Sequence, residues 1–277
     1  FRVCDISCVK LDKPDFIWIK KNDIRYKSQT TGINPFYQKE NDILATITNA
    51  CPIEIREQTK QVYFYGAGCS FKEKCDMVQR PLQEIFSHAI IEVHNDLLGA
   101  ARSLFQHDEG IACILGTGSN SCQYNGNGIV KNVSPLGFIL GDEGSGAVLG
   151  KNFIGDILKG LAPIEITERF FQEENISPAV IMDKIYKQPF PNRFLAQFSK
   201  HIYQYKKEPY FHQLLITCFK DFFFRNISQY PKSLAIGLIG SIAYYFQEEL
   251  LDVARQDNRT ITIIEKSPID GLIKYHQ

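Results

Sequence analysis

The order of apolar and polar positions divides the chain into short β-rich runs separated by helical stretches. Residues 15 to 30 carry Phe16, Ile17, Trp18 and Ile19, then Ile24 and Tyr26, around polar Lys21-Asn22-Asp23, which predicts a hairpin. From Lys39 to Asn49 the apolar positions Ile43, Leu44 and Ile47 recur at helical spacing, and Phe71 to Phe86 repeats that period. Between them Gln61 to Tyr65 is a β-rich run stopped by Gly66-Ala67-Gly68. Ala89 to Val93 predicts another strand. Asn95 or Asp96 then offers a short side-chain oxygen to cap a helix through Leu97, Leu98, Ala101 and Leu104. The first part therefore reads β-β-α-β-α-β-α.

A second set of elements begins near Gly110, where Ile111 to Leu115 predicts a buried strand that breaks into Gly116-Thr117-Gly118-Ser119. Strands continue through Val133, and beyond Gly141 the pattern is mostly helical. Phe170, Phe171, Phe219, Phe222 and Phe223 lie on amphipathic stretches that read as core stripes. A strand over Leu234 to Leu238 enters Gly240-Ser241 and a helix, and Thr260 to Glu265 precedes a terminal helix over Pro268 to Tyr275. The expectation is an α/β chain of two lobes, an N-terminal one over residues 1–109 and a C-terminal one over 110–277 with a helical insertion. A length of 277 residues is enough for two cores.

Charge changes little in this picture except to narrow the partners. Lys plus Arg and Asp plus Glu both number 31, so no net charge draws the protein to nucleic acid or to a membrane surface. No run approaches the roughly 20 apolar residues of a membrane span, and the first residues lack a signal-peptide pattern, so a cytoplasmic protein with small-molecule partners is expected. The 8 cysteines include no CxxC pair, and several sit in apolar runs such as Ala112-Cys113-Ile114. Buried free thiols are the favoured reading.

Three constellations could carry chemistry. Leu115-Gly116-Thr117-Gly118-Ser119-Asn120-Ser121 is a strand entering a turn of glycines and hydroxyls. Glycines let backbone amides approach phosphate oxygens and hydroxyls add short donors, although an ordinary hairpin would also fit. Gly137 to Gly146 then places Asp142 and Glu143 between glycines at the mouth of a helix. They read either as dipole-stabilised residues or as carboxylates for sugar hydroxyls or magnesium, with the helix start near phosphate. Asp96 follows a strand 20 positions before Gly116. It is a cap or, in phosphoryl transfer to an alcohol, the acceptor of the hydroxyl proton.

Together Gly116-Thr117-Gly118-Ser119-Asn120, Leu136-Gly137 to Gly144-Ser145, Asp96 and Gly240-Ser241-Ile242-Ala243 resemble the N-acetylglucosamine kinase branch of the BadF/BadG ATPase family. That family falls within the sugar kinase, actin and heat-shock ATPase superfamily. The resemblance runs from about Gly32 onward. It implies two ribonuclease-H-like, actin-like ATPase lobes with a central cleft, ATP and Mg2+ as cofactors, and phosphorylation of an amino sugar at its 6-hydroxyl, with a homodimer common for the architecture. It implies Asp96 as catalytic base and Asn34, Gly118, Asn120 and Asp142 as sugar contacts. Gly116, Thr117, Ser119, Gly240 and Ser241 fall on the nucleotide side, Thr117 as the phosphate-facing hydroxyl, and the metal ligands stay unassigned.

The family's first phosphate loop has the form Asp-x-Gly-Gly/Ser-Thr, whereas this chain runs Cys4-Asp5-Ile6-Ser7-Cys8-Val9-Lys10-Leu11-Asp12-Lys13-Pro14-Asp15 with no glycine before Gly32. Asp5 or Asp12 is the candidate substitute for the missing acid. Two explanations stand: a start that differs from the native one, which the Phe1 opening favours, or a weakened or inactive relative. Two rival functions follow, a non-catalytic sugar or nucleotide binder and an ATPase activator of a 2-hydroxyacyl-CoA dehydratase. The second needs a cluster-ligating cysteine beside the glycine turn, and none occurs around Gly116 to Gly118.

Overall fold

The computed structural model describes the backbone of residues 2–7, 15–20, 23–30 and 32–277, and side chains from residue 26 onward apart from Gln29 and Thr31. Strands β1 (Arg2–Ser7), β2 (Asp15–Lys20) and β3 (Asp23–Gln29) are followed by helices α1 (Glu40–Ala50) and α2 (Ile53–Gln58). Then come β4 (Gln61–Gly66), α3 (Lys72–Ile85), β5 (Ile90–Asn95) and α4 (Asp96–Phe105). These strands form one sheet in the order β3-β2-β1-β4-β5. β1 pairs antiparallel with β2 and parallel with β4, and β4 pairs parallel with β5.

β4 shows why the sequence folds this way. Val62, Tyr63, Phe64 and Tyr65 are all buried, as expected of a strand covered on both faces. Alternation sends Val62 and Phe64 into a core with Ile43 and Ile47 of α1 and Val78 and Leu82 of α3. Tyr63 and Tyr65 face the other way, onto Ile269, Leu272 and Ile273 of the terminal helix. Each such side chain contributes roughly 1.5–3 kcal/mol by leaving water.

The remaining strands are β6 (Glu109–Leu115), β7 (Ser119–Asn125), β8 (Ile129–Val133), β9 (Ile236–Ile239) and β10 (Ile261–Glu265). They form a second sheet in the order β10-β9-β6-β7-β8. Counted from its own first strand, this is the order of the first sheet over again: two successive hairpin strands on one side and two later strands on the other. The turn between β6 and β7 thus holds the topological place of the β1–β2 connection.

Helices fill the rest: α5 (Gly137–Leu140), α6 (Gly146–Lys159), α7 (Ile164–Glu174), α8 (Pro178–Tyr186), α9 (Pro191–Gln197), α10 (Ser199–Gln204), α11 (Pro209–Arg225), α12 (Ser241–Tyr245), α13 (Gln247–Gln256) and α14 (Ile269–Tyr275). Ser145 starts α6 by accepting the Val148 N–H at 3.2 Å, and Gly160 ends it with φ of +68°. The aromatic stretches are core, as expected: Phe153 of α6 has its ring centroid 5.2 Å from that of Phe170 and 5.4 Å from that of Phe211.

By internal contacts the chain divides into two compact units. One comprises Phe1–Ala112, Cys122–Lys131 and Glu265–Gln277; the other comprises Cys113–Ser121 and Asn132–Ile264. Two elements go beyond the β-β-α-β-α-β-α expectation, the strand β1 and the short helix α2. Six residues after Pro52 span too few turns for a helical period to show. Among the described cysteines, Cys51, Cys69, Cys113, Cys122 and Cys218 are buried thiols and Cys75 is a half-buried one, none of them in a disulfide, in line with the thiol reading. No described helix is long and apolar enough to cross a membrane.

Candidate active site

Within the second unit, the turn after β6 is held from two sides. The Gly116 N–H donates to the Gly118 carbonyl at 2.9 Å, closing the turn on itself. The start of α6 then clamps it, with the Gly146 N–H on the Gly116 carbonyl at 2.8 Å and the Ala147 N–H on that of Thr117 at 3.0 Å. The Ser145 N–H reaches the Asp142 carbonyl at 3.0 Å, and the Val148 N–H is capped by Ser145 Oγ. The first amides of a helix have no acceptor inside it. In α6 they are engaged by the turn and the cap, so the helix start braces Gly116 and Thr117.

Gly240, with φ of +118°, backs onto the same strand end, where a Cβ would lie 2.3 Å from the Leu115 carbonyl oxygen. Only glycine fits there. Ser241, the first residue of α12, is therefore held one step from the glycine turn.

Of the two adjacent carboxylates, the structure separates the roles. Glu143 ties the end of α11, accepting a hydrogen bond from Asn226 Nδ2 at 3.3 Å and forming an ion pair with Arg225 Nε at 3.6 Å. Asp142, in a left-handed backbone conformation (φ +54°), turns toward Gly118, where a Cβ would meet Asp142 Oδ2 at 2.9 Å. Burial pushes its carboxyl up to about 6 and Glu143 adds to the shift, while the Ser119 N–H and Lys151 oppose it. Asn120 on β7 has its Oδ1 occupied by the Ser121 N–H at 2.9 Å and by Asn132 Nδ2 at 2.9 Å.

Asn34 and Asp96 belong to the first unit. Asn95 caps α4, its Oδ1 accepting the Leu98 N–H at 2.7 Å, so the alternative of Asp96 as the cap falls away. Asp96 is the first helical residue, half-buried, and desolvation pushes its carboxyl up to about 6 against the pull of the Leu97 N–H. Asn34 Oδ1 accepts the Phe36 N–H at 3.0 Å. The turn Gly66 to Phe71 lies between these two residues. A Cβ on Gly68 would strike Asn34 Oδ1 at 2.6 Å, and the buried Cys69 thiol, pushed up to about 12 mainly by desolvation, also feels Cys75 and Asp96.

The predicted residues thus fall into two groups: Asn34 and Asp96 in the first unit, and Gly116 through Asn120, Asp142, Gly240 and Ser241 in the second. The reading of Asp5 and Asp12 rests on side chains outside the described residues. Among the described residues no group of three or more His, Cys, Asp or Glu side chains could hold a metal ion. Sequence reasoning missed Asn132 and Tyr230, which fasten β7 and carry no motif.

Over its full length the chain matches a Porphyromonas gingivalis protein provisionally named an N-acetylglucosamine kinase, at 43% identity, with 100% of this chain and 98% of that one covered and a TM-score of 0.93. The chain belongs to the N-acetylglucosamine kinase-like branch of the BadF/BadG ATPase family. In fold, this family member also matches a Chromobacterium violaceum protein of the same provisional name, at 15% identity, 99% and 97% coverage and a TM-score of 0.72. A ROK hexokinase from Thermus thermophilus follows at 12% identity, 99% and 95% coverage and a TM-score of 0.58. These two show the actin-like ATPase fold alone. No family model matches the chain, and no curated protein matches it.

Proposed function

We propose that this family member is an ATP-dependent kinase that phosphorylates an amino sugar, N-acetylglucosamine, at its 6-hydroxyl. The observation that carries the reading is Asp96. Its capping duty is taken by Asn95, and its carboxyl sits at about 6. A base that titrates just below neutral pH is mostly ionised there, yet basic enough to accept the hydroxyl proton as the sugar oxygen bonds to phosphorus. ATP, accompanied by Mg2+, supplies the phosphoryl group. Asn34, Gly118, Asn120 and Asp142 hold the sugar; Gly116, Thr117, Ser119, Gly240 and Ser241 serve the nucleotide, with the Thr117 hydroxyl toward phosphate. A cytoplasmic location, where ATP is available, goes with this reading.

One observation favours a second reading, a binder without catalysis: no glycine precedes Gly32, so the β1–β2 connection lacks the residue type that brings backbone amides to phosphate. Incubation with γ-labelled ATP and N-acetylglucosamine tests both. Labelled sugar phosphate supports the kinase; sugar binding by calorimetry with no label transferred supports the binder.

A further inference from the structure

We propose that Asn132 is a positioning residue for the sugar site: it fixes the amide of Asn120 so that the NH2 group, and not the carbonyl, is left for the ligand. The inference rests on the sugar-kinase reading and deepens it, because it states what Asn120 can recognise.

An amide's orientation follows from partners whose own chemistry is unambiguous. Asn132 Nδ2 lies 2.7 Å from the Ser121 carbonyl and 3.1 Å from the Val133 carbonyl. Both are acceptors only, so the atom facing them must be the donor. The same Nδ2 lies 2.9 Å from Asn120 Oδ1, which also receives the Ser121 N–H at 2.9 Å. A backbone N–H and an amide NH2 both demand an acceptor, and Asn120 must place its carbonyl there. What remains is Asn120 Nδ2 with its two hydrogens. It can only donate, and the sugar atom it meets is an acceptor oxygen.

The frame of this clasp is rigid. Tyr230, 3% exposed, sets its hydroxyl 2.9 Å from both Ser121 Oγ and the Ser121 carbonyl, and receives the Val133 N–H at 3.0 Å. The residues next to Asn120 and Asn132 are thereby pinned to each other across the β7–β8 hairpin. Asn132 itself is exposed, so it contributes more to orientation than to stability.

The test is a double-mutant cycle on the whole chain, reading KM for N-acetylglucosamine and kcat in wild type, Asn132→Ala, Asn120→Ala and the double variant. Asn132→Ala is expected to raise KM about tenfold with kcat within about twofold, since a misoriented donor weakens binding in ground and transition states alike. In the Asn120→Ala background the same change is expected to raise KM less than about twofold. A rise of equal size in both backgrounds, or a wild-type KM in Asn132→Ala, overturns the proposal. Asn132→Asp keeps the shape and replaces the donor by an acceptor; it is expected to raise KM at least as far, and a wild-type KM in this variant also overturns the proposal. Failure of wild type to transfer phosphate would be a failure of the kinase reading instead, and the cycle is then read from calorimetric affinities for N-acetylglucosamine, with the same outcomes for and against.

Discussion

Asp96 and Asp142 are the two carboxyls that burial lifts from the ordinary 3.8 to about 6. Between those values the folded chain binds protons that the unfolded chain has released. The stability each group contributes is therefore full below about pH 3.8 and lost as pH rises through about 6. Asp96→Asn is expected to raise the thermal midpoint at pH 8 by a few degrees and to give no gain near pH 3.5, which melting curves at the two pH values would show. A gain of equal size at both would contradict the burial account. In the kinase, activity should fall as pH drops below about 6, and Asp96→Asn should lower kcat about a hundredfold or more while leaving sugar affinity within a few fold. At Gly118, an added methyl would press on Asp142 Oδ2, so Gly118→Ala is expected to raise the KM for sugar while the KM for ATP changes less. An unchanged sugar KM would place Asp142 outside the sugar site.

The elements differ in how plainly the sequence announces them. β4 and α3 are legible because one is an unbroken β-rich apolar run, Val62-Tyr63-Phe64-Tyr65, stopped by glycine, and the other keeps helical spacing from Phe71 to Phe86. The turn of Gly116 to Gly118 and the Asp142 stretch are legible because the chemistry-bearing residue types are neighbours in the chain. The clasp is not: Asn132 lies 12 positions from Asn120, and Tyr230 lies 109 from Ser121, and no local pattern reports such pairs. Nor does local pattern show that the first amides of α6 are engaged by Gly116 and Thr117. Two substitutions test the element-level account. Gly240→Ala would force φ of +118° on a residue with a Cβ and drive that Cβ toward the Leu115 carbonyl, with an expected loss of about 1–3 kcal/mol or more in denaturant unfolding. Phe153→Ala would open a cavity among Phe170, His201 and Phe211, with an expected loss of about 3–5 kcal/mol by the same measurement.

At the level of the whole molecule, the same strand order appears twice, and with it a repeated place for a turn between the first two strands of each sheet. In the second sheet Gly116-Thr117-Gly118 makes that connection; in the first, the sequence between β1 and β2 contains no glycine. This repetition was hidden from periodicity, which reports the face a residue takes and not the neighbour its strand chooses. The family resemblance implies two ribonuclease-H-like lobes, and 43% identity over the full chain bears out the family. The central claim is phosphoryl transfer, and its direct measurement is the label passed from γ-labelled ATP to N-acetylglucosamine by wild type and by Asp96→Asn. The account predicts labelled N-acetylglucosamine 6-phosphate from wild type and almost none from Asp96→Asn, with sugar binding retained in both. Wild type that binds the sugar but labels none of it, or near-normal transfer by Asp96→Asn, would contradict it.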